Sequence, residues 1–182
     1  MIAPKIDRRA LLTAGVALGA LAAFNSFRSK GARAETLAAT MTTTTDTTID
    51  FKKLSAADWQ KRLSPEQFYV LRKHGTERAG TSPLNNEKRK GTFACAGCDL
   101  PVFDASTKFE SGTGWPSFYA PLPNAVGETT DRSFFMTRTE VHCSRCEGHL
   151  GHVFNDGPKP TGLRYCMNGV AMKFEPAAGS QS

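Results

Sequence analysis

Phe135-Met136-Thr137-Arg138-Thr139-Glu140-Val141-His142-Cys143-Ser144-Arg145-Cys146 is the stretch on which the fold reading turns. Phe135, Thr137, Thr139 and Val141 alternate with Met136, Arg138 and Glu140, the period of two that sends successive side chains to opposite faces of a strand. That strand runs straight into a Cys-x-x-Cys turn. Further on, Val170, Met172 and Phe174 alternate with Ala171, Lys173 and Glu175, which predicts a second strand. From Gly91 onward the chain reads as short strands broken by Gly/Pro turns, without the helix–strand alternation that a parallel βαβ sheet requires. The expected architecture is mainly β and antiparallel, with small helices at its N-terminal end.

Those helices are marked by their starts. Ser55 is followed three residues later by Asp58, and Ser64 by Gln67, with Pro65 at the first helical position, where its missing N–H costs nothing. Trp59 with Leu63, and Phe68 with Leu71, give each helix an apolar face, and Gly75 is the expected C-cap of the second. Both helices read as scaffold and not as site.

The chain has 182 residues and a formal charge of +6. Residues 1–34 hold six Lys/Arg and one acid, which leaves 17 basic and 16 acidic residues for the rest. A nearly neutral body gives no electrostatic case for nucleic-acid binding. Arg8-Arg9, the uncharged run 10–27 and Ala32-Arg33-Ala34 have the layout of a cleaved bacterial export signal. Asp7-Arg8-Arg9-Ala10-Leu11-Leu12 resembles the twin-arginine type, which moves folded proteins; an ordinary secretory signal and an uncleaved anchor are the alternatives. Seven threonines between Thr40 and Thr48 cannot bury enough surface to offset ordering entropy, so residues 35–50 read as a flexible tether. The expected plan is a signal over 1–34, a tether over 35–50 and one domain over 51–182, exported to the bacterial periplasm.

Cys95-Ala-Gly-Cys98 and Cys143-Ser-Arg-Cys146 are two Cys-x-x-Cys turns. Each can aim two thiolates at one ion, and four thiolates fill a tetrahedral zinc site, leaving no open position for water. One structural zinc, with no redox cofactor, is the preferred reading. Disulfides and a dithiol redox pair remain alternatives. A second metal at His149 and His152 is not expected once four cysteines serve the first.

Cys166 is left over, and is either an inert thiol, an intermolecular bridge or a reactive group. It lies in His149–Asn168, which crowds two histidines, an aspartate and an arginine around a Gly/Pro-rich turn. Strand alternation puts Arg164, Cys166 and Asn168 on one face, and a nearby cation raises the thiolate fraction of a thiol.

Four motifs then stand together: Ser111-Gly-Thr-Gly-Trp-Pro-Ser-Phe118, the paired Cys-x-x-Cys turns, His149-Leu-Gly-His152-Val-Phe154 and Gly162-Leu-Arg-Tyr-Cys-Met-Asn168. With Thr76-Glu77-Arg78 they resemble the B-type peptide-methionine (R)-S-oxide reductases over residues 55–176. The resemblance implies two antiparallel sheets stapled by zinc on Cys95, Cys98, Cys143 and Cys146. It implies Cys166 as nucleophile, Trp115 and Phe154 against the substrate methyl group, and His149, His152 and Asn168 around the sulfoxide oxygen. Arg164 and Asp156 would set the charge near the thiolate. The implied reaction is thiolate attack on R-methionine sulfoxide, chiefly in proteins, leaving a sulfenic acid on Cys166.

Many members of that family place a resolving cysteine in the Gly-Trp-Pro loop; here Thr113 stands in its place. The expectation is a one-cysteine cycle in a monomer, with a thioredoxin-like or glutathione-dependent thiol as reductant and contact with membrane only during export. An A-type reductase is disfavoured by the lack of a Gly-Cys-Phe-Trp motif. A non-catalytic zinc module would have no need of Cys166, Arg164, Trp115 and both histidines together.

Overall fold

Ser55 Oγ accepts the Asp58 N–H and Asp58 Oδ2 accepts the Ser55 N–H, closing a reciprocal cap on α1 (Ala56–Arg62). Ser64 and Gln67 do the same for α2 (Pro65–Lys73). The computed structural model describes residues 49–133 and 136–179. The export signal, the tether up to residue 48 and Phe135 lie outside the described residues. No helix among those described is long and apolar enough to cross a membrane.

One expectation about α2 shifts. The left-handed residue at its end is His74, with φ 54°, and not Gly75. Gly75 lies against the Tyr69 ring: a Cβ there would stand 2.2 Å from it, so any larger residue would displace that ring.

Nine strands follow among the described residues: β1 (Gly91–Cys95), β2 (Pro101–Asp104), β3 (Lys108–Phe109), β4 (Ser117–Phe118), β5 (Val126–Asp131), β6 (Arg138–Cys143), β7 (His149–Phe154), β8 (Arg164–Met167) and β9 (Met172–Pro176). They make two sheets, ordered β2-β1-β9 and β3-β4-β8-β7-β6-β5. Every pairing is antiparallel, as expected for this β-rich chain.

Both predicted strands start late, each for a physical reason. β6 begins at Arg138, because its partner β5 ends at Asp131, the residue opposite, and a strand needs a ladder. β9 begins at Met172 because Gly169–Ala171 form a 3-10 turn. The Glu77 carboxylate holds that turn out of the sheet by accepting the N–H groups of Gly169 and Val170.

Aromatic rings join the two sheets. Phe118 of β4 stacks on Phe103 of β2 at 4.4 Å and meets Phe93 of β1 edge-on at 4.9 Å, while Tyr165 of β8 lies 5.8 Å from Phe103. Phe93, Phe103 and Phe118 are fully buried, and a buried phenylalanine stabilises by roughly 1.5–3 kcal/mol relative to exposure. Val70 and Leu71 of α2, Val141 of β6 and Leu150 of β7 belong to the same buried core.

The two Cys-x-x-Cys turns are built alike. Cys95 N–H donates to Leu100 O and Asp99 N–H to Cys95 O; Cys143 N–H donates to Gly148 O and Glu147 N–H to Cys143 O. The residue after each second cysteine, Asp99 (φ 59°) and Glu147 (φ 57°), turns left-handed to close the loop. Arg72 of α2 donates to Cys146 O at 2.9 Å with its guanidinium over the Trp59 ring. Trp59 of α1 in turn lies under Gly97, so both helices buttress the cysteine turns.

Candidate active site

One rung across the larger sheet assembles the chemistry. Ser117 lies opposite Cys166, Cys166 opposite His152, and His152 opposite Glu140. Directly opposed residues point to the same face, so these four side chains emerge together. Arg164 and Phe154, opposed to each other two residues along, share that face. Gly151 lets β7 and β8 come this close, since a Cβ there would stand 2.1 Å from Cys166 O.

Cys166 opens on a cleft of about 120 Å³ lined by Thr76, Trp115, Arg138, His152, Phe154 and Asn168, with Gly151. That volume suits the end of one side chain and is well below the roughly 300–1,000 Å³ of a typical small-molecule pocket. Trp115 and Phe154 supply its aromatic walls. Trp115 is fixed by its indole N–H, which donates to Glu77 O at 3.1 Å.

Burial pushes the Cys166 thiol above its ordinary value; hydrogen bonding to Thr113, the Arg164 charge and Ser117 act the other way but do not win. Arg164 has the direction expected of it, and burial is the larger effect. Thr113 Oγ1 stands 3.9 Å from Cys166 Sγ. Arg164 is held by a two-pronged pair with Asp156, 2.8 Å on each prong, and its guanidinium lies 4.4 Å over the Phe154 ring. Asp156 itself is exposed, so its place is behind Arg164 and not beside the thiol.

The two histidines are held by different carboxylates. His152 Nε2 meets Asp131 Oδ2 at 2.8 Å, and His149 Nδ1 meets Glu140 Oε1 at 2.7 Å. Burial pulls both imidazoles below their ordinary value, against the carboxylates that raise them. His149 is only 2% exposed and its Nε2 has no hydrogen-bond partner. It lines a neighbouring cavity of about 500 Å³ that shares Thr76, Arg138 and His152 with the Cys166 cleft. His149 and His152 are three apart, which a regular strand would send to opposite faces. A bulge between Val141/His142 and the facing residues of β7 changes the phase, and the two rings meet at 5.3 Å.

Asn168 is largely committed to the framework. Its Oδ1 accepts the Glu77 N–H at 2.9 Å and its Nδ2 donates to Leu150 O at 3.1 Å, which leaves one amide N–H for the cleft. Glu77 thus touches Trp115, Asn168, Gly169 and Val170 at once. Sequence gives Glu77 only as part of the Thr76-Glu77-Arg78 motif and assigns no role to Glu140 or Asp131, because the partners of all three lie 9 to 93 residues away along the chain.

The four remaining cysteines form a buried cluster with all ligand atoms within 4.8 Å of one another. The Sγ–Sγ separations are 3.6 Å for Cys95–Cys146 and 3.5 Å for Cys98–Cys143, and none is in a disulfide. A tetrahedron with Zn–S near 2.3 Å has edges of about 3.8 Å. The cluster therefore fits a four-thiolate metal site with only small adjustment.

Residues 63–176 match the SelR domain model. The chain is 56% identical over 123 residues to a peptide methionine sulfoxide reductase MsrB of Agrobacterium fabrum, covering 67% of this chain and 91% of that protein. It is 57% identical over 124 residues to one from Pseudomonas putida strain W619, covering 68% and 93%. A chloroplastic peptide methionine sulfoxide reductase B1 of Arabidopsis thaliana is 55% identical over 126 residues, covering 69% and 62%. Fold, thiol cleft and relatives together define an oxidoreductase acting on sulfur. The chain belongs to the peptide methionine sulfoxide reductase B family, and it reduces methionine sulfoxide.

Proposed function

We propose that this enzyme reduces the R epimer of methionine sulfoxide, chiefly in oxidised proteins, through Cys166. The observation that carries the reading is the rung that sets Cys166 opposite His152 in a cleft walled by Trp115 and Phe154. The substrate methyl and sulfur lie against the rings, where sulfur–aromatic contacts contribute about 0.3–1.5 kcal/mol. The Cys166 sulfur attacks the sulfoxide sulfur, and the sulfoxide oxygen ends on Cys166 as sulfenic acid while methionine leaves. The thiol proton and the oxygen stay on the enzyme, so the step balances.

The resting thiol must lose its proton as it attacks, and the oxide must gain one. The His152–Asp131 pair relays it, taking the thiol proton and passing it to the oxide while Asp131 stabilises the transient imidazolium as a carboxylate does in a hydrolase triad. Arg164, braced by Asp156, stabilises the thiolate as it forms. With Thr113 where a resolving thiol would stand, an external thiol donor of thioredoxin or glutathione type returns Cys166 to the thiol. Structural zinc on Cys95, Cys98, Cys143 and Cys146 ties β1 to β6 and β7, and the chain acts as a monomer. The N-terminal thirty-four residues address it to the periplasm.

The decisive assay offers both sulfoxide epimers with dithiothreitol to wild type and Cys166→Ser. R-epimer turnover by wild type alone is expected. No R-epimer turnover, or equal turnover by the variant, refutes the reading. Zinc that resists a brief chelator wash should remain at one per chain in Cys166→Ser and be lost with the fold in Cys95→Ser.

A further inference from the structure

His74, Glu140 and His149 come from three different elements, the end of α2, the middle of β6 and the start of β7, yet their ligand atoms lie within 4.8 Å of one another. Both imidazoles turn the same atom, Nδ1, toward the same carboxylate oxygen. His74 Nδ1 is 2.9 Å and His149 Nδ1 2.7 Å from Glu140 Oε1. The two rings pack 5.3 Å apart. Two imidazoles and a carboxylate are the donor set of many three-ligand sites for borderline divalent metals, with a fourth position left to solvent.

Ligands about 2.0–2.1 Å from a tetrahedral ion stand roughly 3.3–3.4 Å apart, so the two short contacts need open by only about half an ångström. The side chain that must move, His74, is 64% exposed, while buried His149 and half-buried Glu140 are already in place. The cavity of about 500 Å³ in front of the cluster gives an ion its path and room for a water ligand. Arg138 and Arg132 on the wall oppose a cation, but Arg138 is paired with Asp131 at 2.7 Å.

We propose that His74, Glu140 and His149 form a second, exchangeable binding site for a divalent metal of the zinc, cobalt and nickel class, beside the Cys166 cleft. An ion on His149 Nδ1 displaces the proton from that nitrogen to Nε2. The buried, unpartnered Nε2 then changes from acceptor to donor, next to His152. Binding at this site does not depend on the reductase reading, and its test reads metal and not turnover.

Full-length protein is dialysed against Zn²⁺, and bound zinc is counted for wild type, His74→Ala and Glu140→Gln. The expected result is that both variants hold one equivalent fewer than wild type, with unchanged far-ultraviolet dichroism. A brief chelator wash should remove that same equivalent from wild type. Titration with Co²⁺ should show a ligand-field spectrum without thiolate charge transfer for the equivalent that the variants lose. Equal zinc in wild type and His74→Ala, or loss of thiolate charge transfer in that variant, overturns the proposal. Should Glu140→Gln fail to fold, His74→Ala decides alone, because its side chain is exposed.

Discussion

Thr113→Cys should convert this enzyme from a one-thiol to a two-thiol cycle. Thr113 Oγ1 lies 3.9 Å from Cys166 Sγ, and a disulfide requires about 2.05 Å, so roughly 1.9 Å of closure is needed. Gly112, at positive φ with open space around it, precedes the residue and is where the loop can give, while Gly114 on the other side is held by hydrogen bonds to its carbonyl from Gly80 and Asn85. A tethered thiol attacks the Cys166 sulfenic acid at an effective concentration of at least about millimolar. Against an external donor at ~10 μM, sulfenic acid should decay roughly a hundredfold faster. Intact mass after one turnover without reductant distinguishes the two products: wild type gains about 16 Da as the sulfenic acid, while the variant loses about 2 Da as the disulfide. The variant should also resist peroxide over-oxidation. A stable gain of about 16 Da in the variant would mean that position 113 does not face the reacting thiol, and the one-cysteine cycle would lose its structural basis.

Two further outcomes test the framework. Glu77→Gln keeps one acceptor oxygen but turns an amide N–H toward a backbone N–H, breaking one of two charge-assisted bonds to Gly169 and Val170. Such bonds are worth about 1.5–3 kcal/mol, so urea unfolding should show a loss of about 2–4 kcal/mol with unchanged slope; a loss below about 1 kcal/mol refutes the clamp. Stability should also fall on both sides of neutral pH. Burial raises the Cys166 thiol and lifts Tyr165 to about 12, so stability that each provides below its unfolded value is lost as pH rises past about 8.5 for the thiol and about 10 for the phenol. Hydrogen bonds from Ser133, then from His152 and Arg138, hold the Asp131 carboxyl well below its ordinary range, so its contribution is present above about pH 4 and lost as pH falls through the folded value. A melting temperature that climbs between pH 8.5 and 10.5 contradicts the alkaline limb.

Local signals were legible wherever a short stretch of chain closes on itself. Both reciprocal caps, Ser55 with Asp58 and Ser64 with Gln67, formed as their spacing demands. So did both Cys-x-x-Cys turns, and the period of two in β6 and β9 was right in kind while late in its start. The starts were missed because each is set by a partner outside the strand's own pattern, Asp131 at the end of the facing strand for one and Glu77, 93 residues away, for the other. The left-handed turn that ends the second helix falls on His74, one residue before the glycine that the sequence offers as its cap.

The sequence by itself determined the mainly β class, the separate standing of Cys166 and the family, since these rest on residue types at fixed short spacing. Only the tertiary structure decided what surrounds the thiol. The rung Ser117–Cys166–His152–Glu140 draws on four strands, and a single bulge in register brings His149 round to the same carboxylate as His74. Register and bulges are set by packing between segments far apart along the chain. A one-residue slip would turn each of these side chains to the other face, and no local pattern records which alignment wins.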